Sequence, residues 1–255
     1  MIDAHIHLDQ YALTKMDEYV ETWQRHGVTA VVAVSTNLAS AYRTLELQQR
    51  YPDFVLAGVG YHPEQPLPTS QELDELIRLL SVERRHIAAI GEVGLPHYAL
   101  AKLGVTSLDP YLELLEQFIA ISIQEDLPIV LHAVHDKAAI VLELLQQARA
   151  TKAHFHWLKA PAQVVSSIVS EGYYISVTPE VCYRTRDQEL AKLVPLDQLL
   201  LETDGPWPFA GPFCGVETNP VFLASSAVAV AKEKATTAQT VLAITQANAR
   251  RLYAE

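Results

Sequence analysis

Ile2-Asp3-Ala4-His5-Ile6-His7-Leu8 and Leu199-Leu200-Leu201-Glu202-Thr203-Asp204-Gly205-Pro206 share one pattern. Each is a short aliphatic run that ends in imidazoles or carboxylates. Six further runs lie between them: Ala30–Ser35, Phe54–Gly60, Ile87–Gly94, Pro128–His132, Ala153–Leu158 and Tyr173–Val177. All are continuous and apolar, as parallel strands covered on both faces are. Amphipathic segments alternate with them. Met16, Tyr19, Val20 and Trp23 share one helical face, with Gly27 as the stop. Leu73, Leu76, Ile77 and Leu80 make a second stripe. Asp109-Pro110 reads as a cap followed by a first-turn proline, leading into Leu112, Leu115, Phe118 and Ile119. Thr237–Tyr253 reads as the last helix, and Gly205–Thr218 as a long loop after the eighth strand. Eight strand–helix units in 255 residues predict an α/β fold, a TIM-type (β/α)8 barrel with its site at the C-terminal ends of the strands. No linker or charge block divides the chain, so residues 1–255 are expected to form one domain.

Composition narrows the functional classes. Apolar residues make up 49% and charged residues 19%, as in an ordinary globular chain. The net charge of −11 gives no bulk attraction to nucleic acid or an anionic membrane, so any phosphate contact must be local, made through bound cations. Cys182 and Cys214 form no CxxC pair and read as reduced thiols. The first strand begins at Ile2, leaving no room for a leader, and no apolar stretch is long enough to span a bilayer. The expectation is a cytoplasmic protein with no membrane partner.

The chemistry lies at the strand ends. His5 and His7, two apart on a strand, point the same way and can grip one cation. Glu92, between Gly91 and Gly94, is a carboxylate in an apolar strand, which is costly unless paired or ligated. His132 ends the fifth strand. His154-Phe155-His156 repeats the His-x-His pattern on the sixth, where at most one is expected to ligate. Asp204 ends the eighth. Each signal alone has an ordinary structural explanation: a packed pair, a salt bridge, a turn cap. Their joint sorting to the ends of strands one, four, five, six and eight does not, and His26 and His86 stand apart in helix or turn contexts. His62, after the third strand, is a candidate for binding substrate or positioning water. No nucleophile elbow, phosphate loop or dinucleotide fingerprint is present.

At these residues the sequence resembles the TatD family of metal-dependent hydrolases, among the amidohydrolase-like barrels. The matching motifs are DAHIHL (3–8), GVGYHPE (58–64), AIGEVGL (89–95), IVLHA (129–133), HWLKA (156–160), GYYISV (172–177) and LLLETDGP (199–206), continued by Asn219-Pro220 and Asn248–Tyr253. They run in order along essentially the whole chain. The resemblance implies two divalent cations per chain, among Mg, Mn, Zn and Ni. His5, His7 and Asp204 would hold one, His132 and His156 the other, and Glu92 would bridge them. His156 is preferred to His154 by its spacing from Gly172. The implied activity is cleavage of DNA phosphodiesters by metal-activated water, with Asp204 and Glu92 as catalytic residues and Asp204 taking the water's proton.

Two positions depart from the family. Its Arg two residues after the strand-five His is Val134 here, followed by His135. Its Asp after the GEIGL-type motif is Pro96, followed by His97. Both remove expected substrate contacts and leave the ligand set whole. His62, His135 and Lys159 are the candidates for binding substrate in their place. A small-molecule amidohydrolase or esterase, and a non-catalytic metal-binding barrel, remain as alternatives.

Overall fold

The computed structural model describes residues 1–254. Among them, eight strands pair in parallel and in chain order: β1 Ile2–Ile6, β2 Ala30–Val34, β3 Val55–Val59, β4 Ile87–Gly94, β5 Ile129–His132, β6 Ala153–Phe155, β7 Tyr174–Val177 and β8 Leu199–Leu201. A bridge between Ile6 and Gly205 brings β1 beside the end of β8. The expected TIM-type barrel is the observed fold. β6 stops short of the predicted Leu158, and β8 ends at Leu201 rather than at Asp204, so His156 and Asp204 sit in the turns just beyond the strands.

Helices Met16–Arg25, Leu38–Arg50, Ser70–Val82, Asp109–Gln124, Lys137–Ala148, Ala162–Ser170 and Thr185–Leu193 connect successive strands, and Leu223–Glu233 and Ala238–Tyr253 follow β8. Their local signals are physical. Met16, Val20 and Trp23 are buried on one face of the first. Thr69 and Glu72 close a reciprocal capping box on the third. Thr237 caps the last through Thr240 N–H. At Asp109 the expectation needs correction. Asp109 is the first helical residue rather than the cap, and its N–H donates to Ser107 Oγ at 3.1 Å. No helix among the described residues is long and apolar enough to cross a membrane.

Which side chains reach the barrel interior depends on two irregularities. Ile2, Ala4, Val32, Val34, Ala89, Val130 and Leu200, from β1, β2, β4, β5 and β8, pack together with Leu252 and Tyr253 of the last helix. Ile6, Val31 and Ala33 instead pack outward with Trp23 and Val28. The register of β1 shifts between Asp3 and Ile6, and that of β4 between Ile90 and Val93. A bulge adds a residue and re-aims the side chains beyond it. After Ala4 and Ala89 have faced inward, the bulges turn His5 and Glu92 to the same interior. The glycines beside Glu92 permit the crowding. A Cβ on Gly91 would come 2.6 Å from Val130 Cβ, and one on Gly94 would come 2.0 Å from the His132 carbonyl oxygen.

Candidate active site

Glu92 is fully buried at the centre of the barrel mouth, and its two oxygens face different partners. Oε2 lies 3.2 Å from His5 Nε2 and 3.4 Å from His7 Nε2. Oε1 lies 2.7 Å from His156 Nε2, 2.9 Å from His132 Nδ1 and 3.3 Å from His62 Nε2. Asp204 Oδ1 joins the first group, 3.4 Å from His5 Nε2 and 3.3 Å from His7 Nε2.

The seam between β1 and β8 makes this meeting possible. Asp204 N–H donates to the His5 carbonyl at 2.9 Å, and His7 N–H to the Gly205 carbonyl at 2.8 Å. Asp204 adopts φ +50, a left-handed value that Asp tolerates better than most residues. The turn after it is closed by its backbone, through Trp207 N–H to the Asp204 carbonyl at 3.1 Å. Its carboxylate is not a turn cap. Below, Asp3 accepts from Thr203 N–H at 2.9 Å and Thr203 Oγ1 at 2.5 Å, tying first strand to last.

The two histidines of the sixth strand separate clearly. His154 accepts from Tyr253 Oη at Nδ1 (2.6 Å) and donates from Nε2 to Ser176 Oγ (2.7 Å), so hydroxyls use both its nitrogens. His156 lies against Glu92, with its ring stacked on His5 at 3.9 Å between centroids. On its other side, Nδ1 is 3.4 Å from Glu202 Oε1, while Glu202 Oε2 accepts from Ser176 Oγ at 2.7 Å.

Two carboxylates in this site escape a reading of the sequence. Glu202 is visible there only as part of a motif, and its parity with Leu200 and Asp204 is the available signal. Glu64, just after His62-Pro63, is likewise visible only as the end of the GVGYHPE motif. It lies 3.1 Å from His132 Nε2 and accepts the backbone N–H groups of His97 (2.7 Å), Tyr98 (2.9 Å) and Ala99 (2.6 Å). It thereby anchors the loop after β4 to the site. Glu64 N–H in turn donates to His62 Nδ1 at 3.1 Å. This leaves the His62 proton on Nε2, making that atom a donor rather than a cation ligand.

The remaining sequence candidates lie nearer the rim. Lys159 lines the cavity above the cluster. His135 does not line it; it is exposed at φ +57, with its ring 4.5 Å from that of His97. Val134 lines the cavity and is 2% exposed. The cavity encloses about 1000 Å³.

The electrostatics follow from burial opposed by pairing. Burial works against charge on His5, His7, His132 and His156. The carboxylates beside them outweigh it and lift each to about 9. Burial likewise favours a neutral Glu92, yet the surrounding imidazoles pull it well below the usual carboxylate range. Asp204 is lowered in the same way by His5 and His7. Burial holds His62 and His154 below the ordinary imidazole value.

The donor set suits divalent cations. His5, His7 and Glu92 offer ligand atoms within 4.8 Å of one another, as do His5, His156 and Glu202; His62 lies as close to Glu92 and His132, but with its proton on Nε2 it offers them a hydrogen-bond donor instead. His5 Nε2, His156 Nε2, Glu92 Oε2 and Asp204 Oδ1 are buried without a hydrogen-bond partner. Orphaned lone pairs converging on one point are costly unless something else fills the role. Imidazole and carboxylate together are ligands that Zn, Mn, Ni and, with waters, Mg accept.

A parallel barrel with an imidazole–carboxylate cluster at its C-terminal mouth defines the class of a metal-dependent hydrolase barrel. Comparison with known proteins gives the family. A model described as TatD related DNase matches residues 2–254, and the chain belongs to that family. It is 40% identical over 212 residues to an uncharacterized metal-dependent hydrolase of Haemophilus influenzae, covering 83% of each chain. It is 29% identical to the human deoxyribonuclease TATDN3, covering 99% of this chain and 94% of that one. Among solved structures, the TatD homologue YjjV of Escherichia coli superposes with a TM-score of 0.86 at 22% identity, covering 99% and 97%, a likeness of fold.

Proposed function

We propose that this chain, acting as one domain, is a divalent-metal-dependent phosphodiesterase that cleaves DNA at unpaired ends. The observation that carries the reading is the division of Glu92. Its two oxygens address two separate groups of buried donors at the floor of one cavity. His5, His7 and Asp204 would hold one cation, His132 and His156 the other, and Glu92 would bridge them. Bound there, the cations would acidify water and neutralise charge on a phosphate.

The chain's own groups supply the rest. Asp204, which lines the cavity, receives the proton of the attacking water. His62, with Nε2 directed at Glu92 Oε1 at 3.3 Å, lines the cavity where the substrate would enter. Glu202 and Glu64 hold His156 and His132 from behind, as carboxylates behind ligating imidazoles do. The site opens through a pocket of about 1000 Å³, which admits a strand end and excludes the middle of a duplex. Two unpaired cysteines and an acidic surface suit a reducing cytoplasm. Buried Val134, where the family places an arginine, favours one alternative, a smaller and less charged ester or amide.

The test is to incubate end-labelled single-stranded and duplex oligonucleotides with the protein in Mg, Mn or Zn. Metal-dependent shortening from an end, faster for single strands, is expected. No cleavage in any metal, together with turnover of a generic ester or amide by the same sample, would transfer the reading to the small-molecule alternative.

A further inference from the structure

One wall of the cavity differs in kind from its floor. Trp157 comes directly after His156 and adopts φ +36, a left-handed value that a bulky residue takes only when its surroundings impose it. Its backbone N–H donates to Ser176 Oγ at 3.0 Å and its indole N–H to Glu180 Oε2 at 3.2 Å, so the ring is fixed. Lys159 Nζ lies 4.0 Å from the centre of that ring and donates to Tyr98 Oη at 3.0 Å. Arg184 and Arg186, on the same wall, are each 2.5 Å from a Glu180 oxygen. Lys159 has no such ion pair among the described residues. An ammonium held by aromatic groups, with no carboxylate in ion-pair contact, keeps its charge available for a ligand. In a chain of net charge −11, a positioned and unneutralised cation above the site is a local attraction for an anion.

Beside it stands Trp207, in the loop directly after Asp204. It packs edge to face on Trp157 at 6.1 Å, is 57% exposed, and lines the same cavity. An indole left open next to a fixed cation is the pairing that unstacked nucleotides use, a base on the ring and a phosphate on the charge.

We propose that Lys159 and Trp207 form a nucleotide subsite beside the cleaved bond, with Lys159 on a phosphate and Trp207 stacked on the base of the same nucleotide. This rests on the phosphodiester reading above and narrows it. The preferred ligand is a single-stranded oligonucleotide whose terminal base is free to swing out. A base inside a duplex has both faces covered by its neighbours and cannot reach the indole.

The test reads binding by fluorescence. Of the three tryptophans, Trp23 is buried in a helix–barrel core, so quenching by a ligand reports Trp157 and Trp207. The metal-loaded protein is titrated with a phosphorothioate tetranucleotide of thymidine, and with the same backbone lacking its bases. The base-bearing strand should bind about tenfold tighter or more, the scale of one base–aromatic stack. Trp207→Leu should bring the ratio of the two affinities to about one, and Trp207→Phe should retain most of it. Lys159→Met should weaken both ligands alike. Equal affinity for both strands in the wild type, or an unchanged ratio in Trp207→Leu, overturns the subsite. Hydrolysis of ordinary oligonucleotides by the same sample separates the two readings. Selective binding without cleavage sinks the phosphodiesterase and leaves the subsite, whereas cleavage without selective binding does the reverse.

Discussion

Replacing Glu92 by glutamine removes one negative charge and almost no volume. That charge is shared by two groups of donors: His5 and His7 at 3.2 and 3.4 Å from one oxygen, His156 and His132 at 2.7 and 2.9 Å from the other. At about 4 Å and an effective dielectric of about 20, one unit pair is worth about 4 kcal/mol. A divalent cation doubles the charge, while the amide oxygen keeps part of the contact. The net loss is then about 3–4 kcal/mol per cation, or roughly 10²–10³-fold in Kd. Both cations should weaken together, because one carboxylate addresses both groups. Calorimetric titration with Mn or Zn measures the two affinities, and a thermal melt monitored by circular dichroism shows that the variant still folds. If a cooperatively folded Glu92→Gln protein binds both cations within tenfold of wild type, the bridging role is wrong. If only one affinity falls, Glu92 serves a single cation.

The same geometry sets other outcomes. Asp204→Asn should keep the fold and the melting profile while turnover falls by more than about 10², because an amide cannot take the water's proton; near-normal turnover would assign that proton to another base. His156→Ala should lose a cation on titration, whereas His154→Ala should keep both and melt at a lower temperature, since it takes the partner of the buried Tyr253 hydroxyl and one of the bonds at Ser176 Oγ; the reverse pattern would exchange the two roles. The metal-free protein should lose stability as pH rises. His5, His7, His132 and His156 are raised from 6.5 to about 9, so their contribution is complete below about 6.5 and is lost through about 9. Melts across that window should fall without metal and should not fall with it, because cations bind the deprotonated imidazoles; a flat metal-free profile would mean that the cluster is not held together by protons.

The barrel is readable in the sequence because its strands are buried on both faces and so carry uninterrupted aliphatic runs. His5, His7, His132 and Asp204 are readable as polar residues at the tips of such runs. Contact made through space by a residue with no period of its own is not. Glu64 meets the N–H groups of residues 97–99 and the His132 ring only because β3, β4 and β5 stand side by side. Glu202 meets His156 across three adjacent strands. The bulges that turn His5 and Glu92 inward leave no mark in a hydrophobic pattern, since inner and outer faces of a barrel strand are equally apolar. The choice between His154 and His156 rests, in the sequence, on likeness to a family, and the geometry distinguishes them by what each nitrogen touches.

The tie between Asp3 and Thr203 joins positions 200 residues apart. In translation β1 is made before β8, and it carries the two imidazoles, His5 and His7, proposed above as cation ligands. Asp204 is made after the other proposed ligands. Synthesis from the N-terminus therefore makes assembly of the proposed cation site coincide with closure of the barrel. A truncated chain that lacks β8 and the turn after it forfeits both at once, the seam to β1 and the carboxylate proposed to complete the site. Quality control of the fold is thereby also quality control of the chemistry.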